Sequence, residues 1–460
     1  MSRPPRSDAA GSERTAPEPA APASAEAAPG GTGGDRLAES SGRPRGTWGI
    51  GGQAVLVCAF IACVQMTWGV IVPALPVLVE HFGLATGSIG VLIAAFAIGR
   101  VIANVPAGLA LRRIPPRPFL QVVCVLLIAV TAVTGLLPNE PALLAARLVA
   151  GVLGGAAVTI GFAVIVAGAP PERRGRTMAM ATVVQMSGGA IGALIGGAAV
   201  SAWGVQWAFA VAVLPLVVCL CVDLVRPASW FWSAFADRPA PDARLRPSTP
   251  VATGVPRPPG SRLLAVGLVA VAFATFFARF AGEQGLIPVL AYDIGGLDPF
   301  GLGVVMAIGT VVSIGALPLI GRVVDRGARL TVLIPSTLVA AGAVMLFPAM
   351  TAPLAFSAVL VLYYVATSVA GIVPNVVTGE RFPPATAGTI IGFTRSAGDI
   401  GAALGPILVF AVADLAGPVP AVGVIAATLV LALIVLVVPI VRGLRLAQSS
   451  SRDGSRATRT

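Results

Sequence analysis

The sequence predicts an all-α integral membrane protein of twelve transmembrane helices in two pseudo-symmetric six-helix halves. Three observations predict it. The 460-residue chain is 56% hydrophobic and only 11% charged, whereas a soluble domain carries about 25% charged residues. Its apolar residues fall into twelve runs, each near the roughly 20 residues a helix needs to cross a bilayer. Its basic residues, all of them Arg, gather in every second connection between those runs, as expected of loops on the cytoplasmic side.

The chain begins with a Pro-, Ala-, Ser- and Gly-rich segment, residues 1–47, that lacks the apolar core of a signal peptide and reads as a disordered cytoplasmic tail. Residues 48–226 form the first six-helix bundle. Its spans are expected near Val55–Leu78, Ile89–Leu111, Phe119–Leu137, Leu143–Ala167, Met178–Val200 and Trp207–Val225. Residues 227–261, dense in Pro and Arg, form a cytoplasmic linker. Residues 262–445 form the second bundle, with spans near Leu263–Leu286, Leu302–Ile320, Leu330–Met350, Leu354–Val377, Ala387–Val412 and Val419–Val441. Residues 446–460 are a second disordered cytoplasmic tail.

Orientation follows from the arginines. Arg112, Arg113 and Arg117, then Arg173, Arg174 and Arg176, the linker, Arg322, Arg326 and Arg329, Arg381, and Arg442 with Arg445 occupy one set of connections. The alternate connections hold Glu80, His81, Asn139, Glu140, Asp293, Asp298 and Asp414, and no Arg. Both termini are therefore expected in the cytoplasm. The net charge of +11 is explained by these loops, so it does not point to nucleic acid. The five Cys residues lie inside apolar runs and read as buried small hydrophobes. A single His leaves no histidine-based metal or catalytic centre, and no cofactor is expected.

The halves echo each other. Gly108, before Arg112 and Arg113, lies 213 residues from Gly321, before Arg326. Gly192-Ala193 in span 5 and Gly405-Pro406 in span 11 are also 213 apart. Two landmarks at one spacing suggest a duplicated unit.

The ionisable residues inside the spans are the natural functional candidates, because each costs about 2.5–3.5 kcal/mol to insert. They are Arg100, Arg147, Arg279, Glu283, Arg395 and Asp399. Arg279 with Glu283, and Arg395 with Asp399, are four apart and share a helix face, so each is expected to pair. A carboxylate beside a fixed Arg can alternate between protonated and paired states. Arg stays charged, which leaves Glu283 and Asp399 as proton carriers. Each also has a structural reading, as an ion pair near the outer end of span 7 or the inner end of span 11. Arg147 either faces an aqueous cavity or snorkels outward. Asp223, beside Arg226 at the end of span 6, reads as solvated. A substrate cavity is expected from Gln65 and Trp68 of span 1, Asn104 of span 2, Gln185 of span 5, Phe276 of span 7, and Tyr363 and Tyr364 of span 10. Such a wall suits a sizeable, partly hydrophobic compound.

Three motifs carry a resemblance to the major facilitator superfamily, in particular its twelve-span drug/proton antiporters. The first is the loop after span 2 and again after span 8, where Gly321, Asp325, Arg326 and Arg329 fit the Gly–acid–base signature. In the first copy Arg112 stands where the acid belongs, and Pro115 where a second Gly is usual. The second is Arg147 followed by Gly151 and Gly154 in span 4. The third is the glycine row of span 5, Gly188, Gly192, Gly196 and Gly197, with Ala193 where the antiporter pattern has Pro. The resemblance implies the major facilitator fold, a role for Asp325 in latching cytoplasmic helix ends, and coupling through Arg147. It further implies export of a drug or natural product in exchange for protons, with import of a nutrient as the alternative. The chain is expected to work as a monomer in the inner cell membrane, surrounded by lipid, with no enzymatic activity.

Overall fold

The computed structural model describes residues 50–137, 139–168, 174–225, 232, 261–327, 329–371, 374, 377–378, 382 and 384–457. The expected N-terminal tail and nearly all of the expected linker lie outside the described residues. Among the described residues every regular element is helical. Twelve helices are long and apolar enough to cross a membrane: α1 Ala54–His81, α2 Gly87–Ala110, α3 Pro116–Thr134, α4 Glu140–Gly168, α5 Met180–Trp203, α6 Val205–Val225, α7 Arg262–Asp293, α8 Pro299–Val324, α9 Arg329–Ala349, α10 Pro353–Ala370, α11 Ile390–Ala416 and α12 Pro418–Val441.

Four of these depart from the sequence expectation. α12 continues as helix to Ala457, through residues 446–457 of the expected disordered tail; the other three departures have identifiable reasons. α1 is broken at Val70, between segments Ile50–Gly69 and Ile71–His81. Pro73, three residues on, offers no N–H to the carbonyl of Gly69. α10 stops at Ala370 rather than Val377, because Gly371 and Pro374 follow and disfavour continuation. α7 widens into a nine-residue π-helical stretch, Ala278–Leu286. Pro288 lies just beyond it and cannot donate to the carbonyl of Gln284 or tolerate it at α-helical distance. A wider turn there relieves the conflict.

The buried apolar side chains form two cores that follow the halves. Among the described residues, one draws on α1–α6 and borrows the buried side chains of Phe280, Val289, Ala402 and Phe410 from the second half. The other draws on α7–α12 and borrows Val72 and Ala193. The duplicated glycine rows do the same work in each half. In the first, Gly188 and Gly192 of α5 lie against the backbones of Ala62 and Met66 of α1, where an added Cβ would come within 2.5 Å of a carbonyl oxygen. In the second, Gly401 and Gly405 of α11 lie against Phe273 and Phe277 of α7. Small residues let backbones meet where lipid supplies no hydrophobic driving force.

Several close contacts join the halves at the end away from the start of α1. The Tyr292 hydroxyl donates to the carbonyl of Pro73 at 2.7 Å. The amide of Phe300 donates to Ser201 Oγ at 3.2 Å. Gly197 of α5 lies against the backbone of Pro299, and Gly90 of α2 against Pro406.

Candidate functional site

A cavity lies between the halves, holding about 420 Å³ of empty space that includes open solvent. Gln65 and Trp68 of α1, Gln185 of α5 and Tyr364 of α10 are in its wall, together with Arg279, Glu283 and Gln284 of the π stretch and Thr310 of α8. The break in α1 and the widening of α7 thus fall beside the cavity. Gln284 and Thr310 were missed in the sequence. The signal for Gln284 was its place beside Glu283 in an otherwise apolar run.

Arg279 and Glu283 are paired, Nε to Oε1 at 3.8 Å. Glu283 is 12% exposed and Arg279 42%. Tyr364 shares the cavity wall with Glu283. The Oε1 of Gln284 is buried without a hydrogen-bond partner.

The expected pair of Arg395 and Asp399 does not form. Arg395 is exposed, and among the described residues no ion pair joins it to Asp399. Asp399 instead accepts from Asn104 Nδ2 at 3.2 Å, across the seam between α11 and α2. Arg100 and Arg395 both act on its charge from nearby. The spacing of four put both residues on one helix, but the hydrogen bond to Asp399 came from the other half.

Arg147 does not snorkel. It is 2% exposed, with its guanidinium carbon 4.8 Å from the ring centroids of Trp68 and of Phe96. Those rings are stacked on each other at 4.0 Å. Its Nε and Nη2 have no hydrogen-bond partner. Arg100 lies 5.9 Å from the ring of Phe280, which in turn stacks on Trp68 at 5.8 Å and on Phe276 at 6.4 Å.

Three expected wall residues are elsewhere. Asn104 holds Asp399, as above, and accepts from Thr159 Oγ1 at 3.3 Å. Phe276 packs on Gly398 of α11. Tyr363 is fully buried inside the second half, its hydroxyl donating to the carbonyl of Ala278 at 3.3 Å.

The loop motifs divide. Gly108 and Gly321 have open space around them, and Arg326 caps the helix that ends at Asp325. The side chain of Asp325, on which the latch depends, lies outside the described residues. In the first half an unexpected clamp is present. Asp223 is not solvated; it is 2% exposed, accepts from Arg117 Nε at 3.1 Å, and accepts from Gln121 Nε2 at 2.7 Å. The clamp ties α3 to α6. Of the five cysteines four are buried, as expected, and Cys221 is exposed. Among the described residues no group of three His, Cys, Asp or Glu side chains could hold a metal.

The profile of the Major Facilitator Superfamily matches residues 57–406. The chain belongs to that superfamily. It is a transporter, not an enzyme, and its twelve candidate spans fit a multi-pass membrane protein. No curated protein matches the sequence of this superfamily member. Many solved structures do match in fold. The human organic anion transporter MFSD10 (TETRAN) is 20% identical with a TM-score of 0.57, covering 85% of this chain and 100% of its own. The inward-open xylose transporter XylE from E. coli is 16% identical with a TM-score of 0.64, covering 84% and 96%. A mutant of the nucleoside transporter NupG is 12% identical with a TM-score of 0.65, covering 84% and 99%. At these identities the likeness is one of fold.

Proposed function

We propose that this superfamily member exports a small, partly hydrophobic organic compound by alternating access, exchanging it for protons across the inner cell membrane, with both termini in the cytoplasm. The observation that carries the reading is a chamber between the halves whose wall holds a carboxylate, Glu283, beside a fixed positive charge. Unprotonated, Glu283 pairs with Arg279. Protonated, it releases Arg279. A second carboxylate, Asp399, bridges the halves through Asn104, so loading it with a proton weakens one bond of the seam. Two acids placed at the wall and at the seam can couple proton binding to rocking of the halves. With the termini cytoplasmic, the contacts at Tyr292, Ser201 and Gly197 join the halves at the outer face. The glycine row of α5 supports export through its likeness to the antiporter pattern.

The alternative is proton-coupled import of a nutrient, favoured by the polar share of the wall at Gln65, Gln185 and Gln284. The solved structures of similar fold include transporters of organic anions, xylose and nucleosides, so the fold serves either reading. Everted vesicles decide between them. With the lumen acidified, export predicts that a substrate found by growth against a panel of toxic compounds accumulates in the lumen as protons leave. Accumulation only when substrate and protons move together refutes antiport and supports import.

A further inference from the structure

With Glu283 ionised, the chamber wall carries no net charge. Its charged members are Arg279 and Glu283, and they are paired with each other. A charged ligand would have to part them and leave one without its counter-ion, which is costly because Glu283 is nearly buried. Three carboxamides stand beside the pair, Gln65 of α1, Gln185 of α5 and Gln284 of α7. Each can both donate and accept. Among the described residues no hydrogen bond engages Gln65 or Gln185. Gln284 is 7% exposed, and its Oε1 has no partner. The duplicated fold does not call for such groups. Gly188 and Gly192 meet Ala62 and Met66 as Gly401 and Gly405 meet Phe273 and Phe277. That correspondence sets Gln65 against Phe276 and Gln185 against Gly398, so helices of like packing do without a polar side chain at either position. Buried polar groups are nearly always hydrogen-bonded. Three unspent carboxamides from three helices around one cavity therefore point to a ligand that satisfies them. Trp68, Met186 and Met306 add apolar surface to the same wall.

We propose that the chamber selects uncharged compounds that bear several hydrogen-bond donors and acceptors, hydroxyl or amide groups, along one side of a small apolar body. The polar side meets Gln65, Gln185 and Gln284, and the apolar side meets Trp68, Met186 and Met306. The inference rests on the central-chamber reading above and names its substrate class; it holds for either direction of transport. Such a ligand brings no charge to disturb the closed pair. A purely apolar compound of the same shape would bury three carboxamides without partners, the penalty by which hydrogen-bonding sites reject analogues that lack the group. A carboxylate would compete with Glu283 for Arg279, and an amine with Arg279 for Glu283.

The test measures equilibrium binding of two labelled series to purified full-length protein in lipid nanodiscs near neutral pH. The first is phenyl glucoside, its carboxylate phenyl glucuronide, and cyclohexyl phenyl ether, which keeps both rings and lacks the hydroxyls. The second is N-acetylphenylalaninamide, the anion N-acetylphenylalanine and the cation phenylalaninamide. In at least one series the uncharged polar compound should bind about ten-fold or more tighter than its analogues. Gln65→Met, Gln185→Met and Gln284→Met, which keep the side-chain length and remove the amide, should each weaken that binding by about five-fold or more. No such preference in either series overturns the assignment, whether an analogue binds as tightly or nothing binds. That comparison uses the unaltered protein and stands whether or not a variant folds. A preference that survives all three substitutions in folded protein overturns it too. Proton-linked transport of a charged toxic compound, with no uncharged compound bound, leaves the transport reading standing while this one falls. Binding of the uncharged compound without proton-linked transport does the reverse. Absence of both transport and binding removes both.

Discussion

Asp223 lies near the end of α6, a few residues from the polar linker, and sequence reasoning placed it in water. The structure buries it beneath Arg117 and Gln121 of α3. The interaction spans more than a hundred residues, and no local pattern marks it. Arg117 lies in the loop motif whose own acid is replaced by Arg112, so Asp223 supplies a carboxylate from another helix. Asp223→Ala removes the carboxylate that accepts from Arg117, itself 20% exposed, and from Gln121, while the backbone carbonyl at 223 still accepts from Arg117. The expected loss is about 2 kcal/mol, below the value for a fully buried pair because Arg117 can still reach solvent. Thermal unfolding in detergent measures it, and an unchanged midpoint refutes the clamp. The in-span acids were partly legible. The spacing of Arg279 and Glu283 gave a real pair, whereas the same spacing at Arg395 and Asp399 did not, because Asn104 of the other half takes Asp399. Asp399→Asn keeps the shape and a hydrogen-bonding group but cannot carry a proton. Wild-type export should quicken as the outer side is acidified. The variant should lose that response while eluting as folded protein, and an unaltered pH response would remove Asp399 from the coupling.

Among the elements, helix existence was plain in the sequence and helix irregularity was not. The apolar runs located all twelve helices. The break in α1, the π stretch in α7 and the early end of α10 each trace to a proline or glycine whose effect depends on neighbours in space as well as in sequence. The glycine rows were legible because a spacing of four lays them along one face. Their partner helices were not, since a small face fits any close backbone. Gly192→Val would drive a side chain into the carbonyl of Met66 and should destabilise the first half by about 2 kcal/mol, in the range of overpacked cores. Gly108→Ala, which meets open space, should leave the unfolding midpoint unchanged or slightly raised. Equal effects of the two substitutions would show that the α1–α5 contact is not close.

For the whole molecule, the duplication was visible in the paired 213-residue spacings, and the two separate cores agree with it. The seam was not visible, because Tyr292 on Pro73 and Phe300 on Ser201 join residues whose sequences carry no mark of each other. The chamber was half visible. Its polar wall at Gln65, Trp68, Gln185 and Tyr364 was anticipated, and its π-helical rim was not. Rocking of two rigid halves about such a seam exposes one chamber to two sides in turn. The most direct measurement replaces the five native cysteines, introduces Gln65→Cys, and follows labelling by a membrane-impermeant maleimide in vesicles of known orientation. The account predicts labelling from either side, each suppressed when the protein is held open to the other. Labelling from one side only, under every pH and substrate condition, would contradict it.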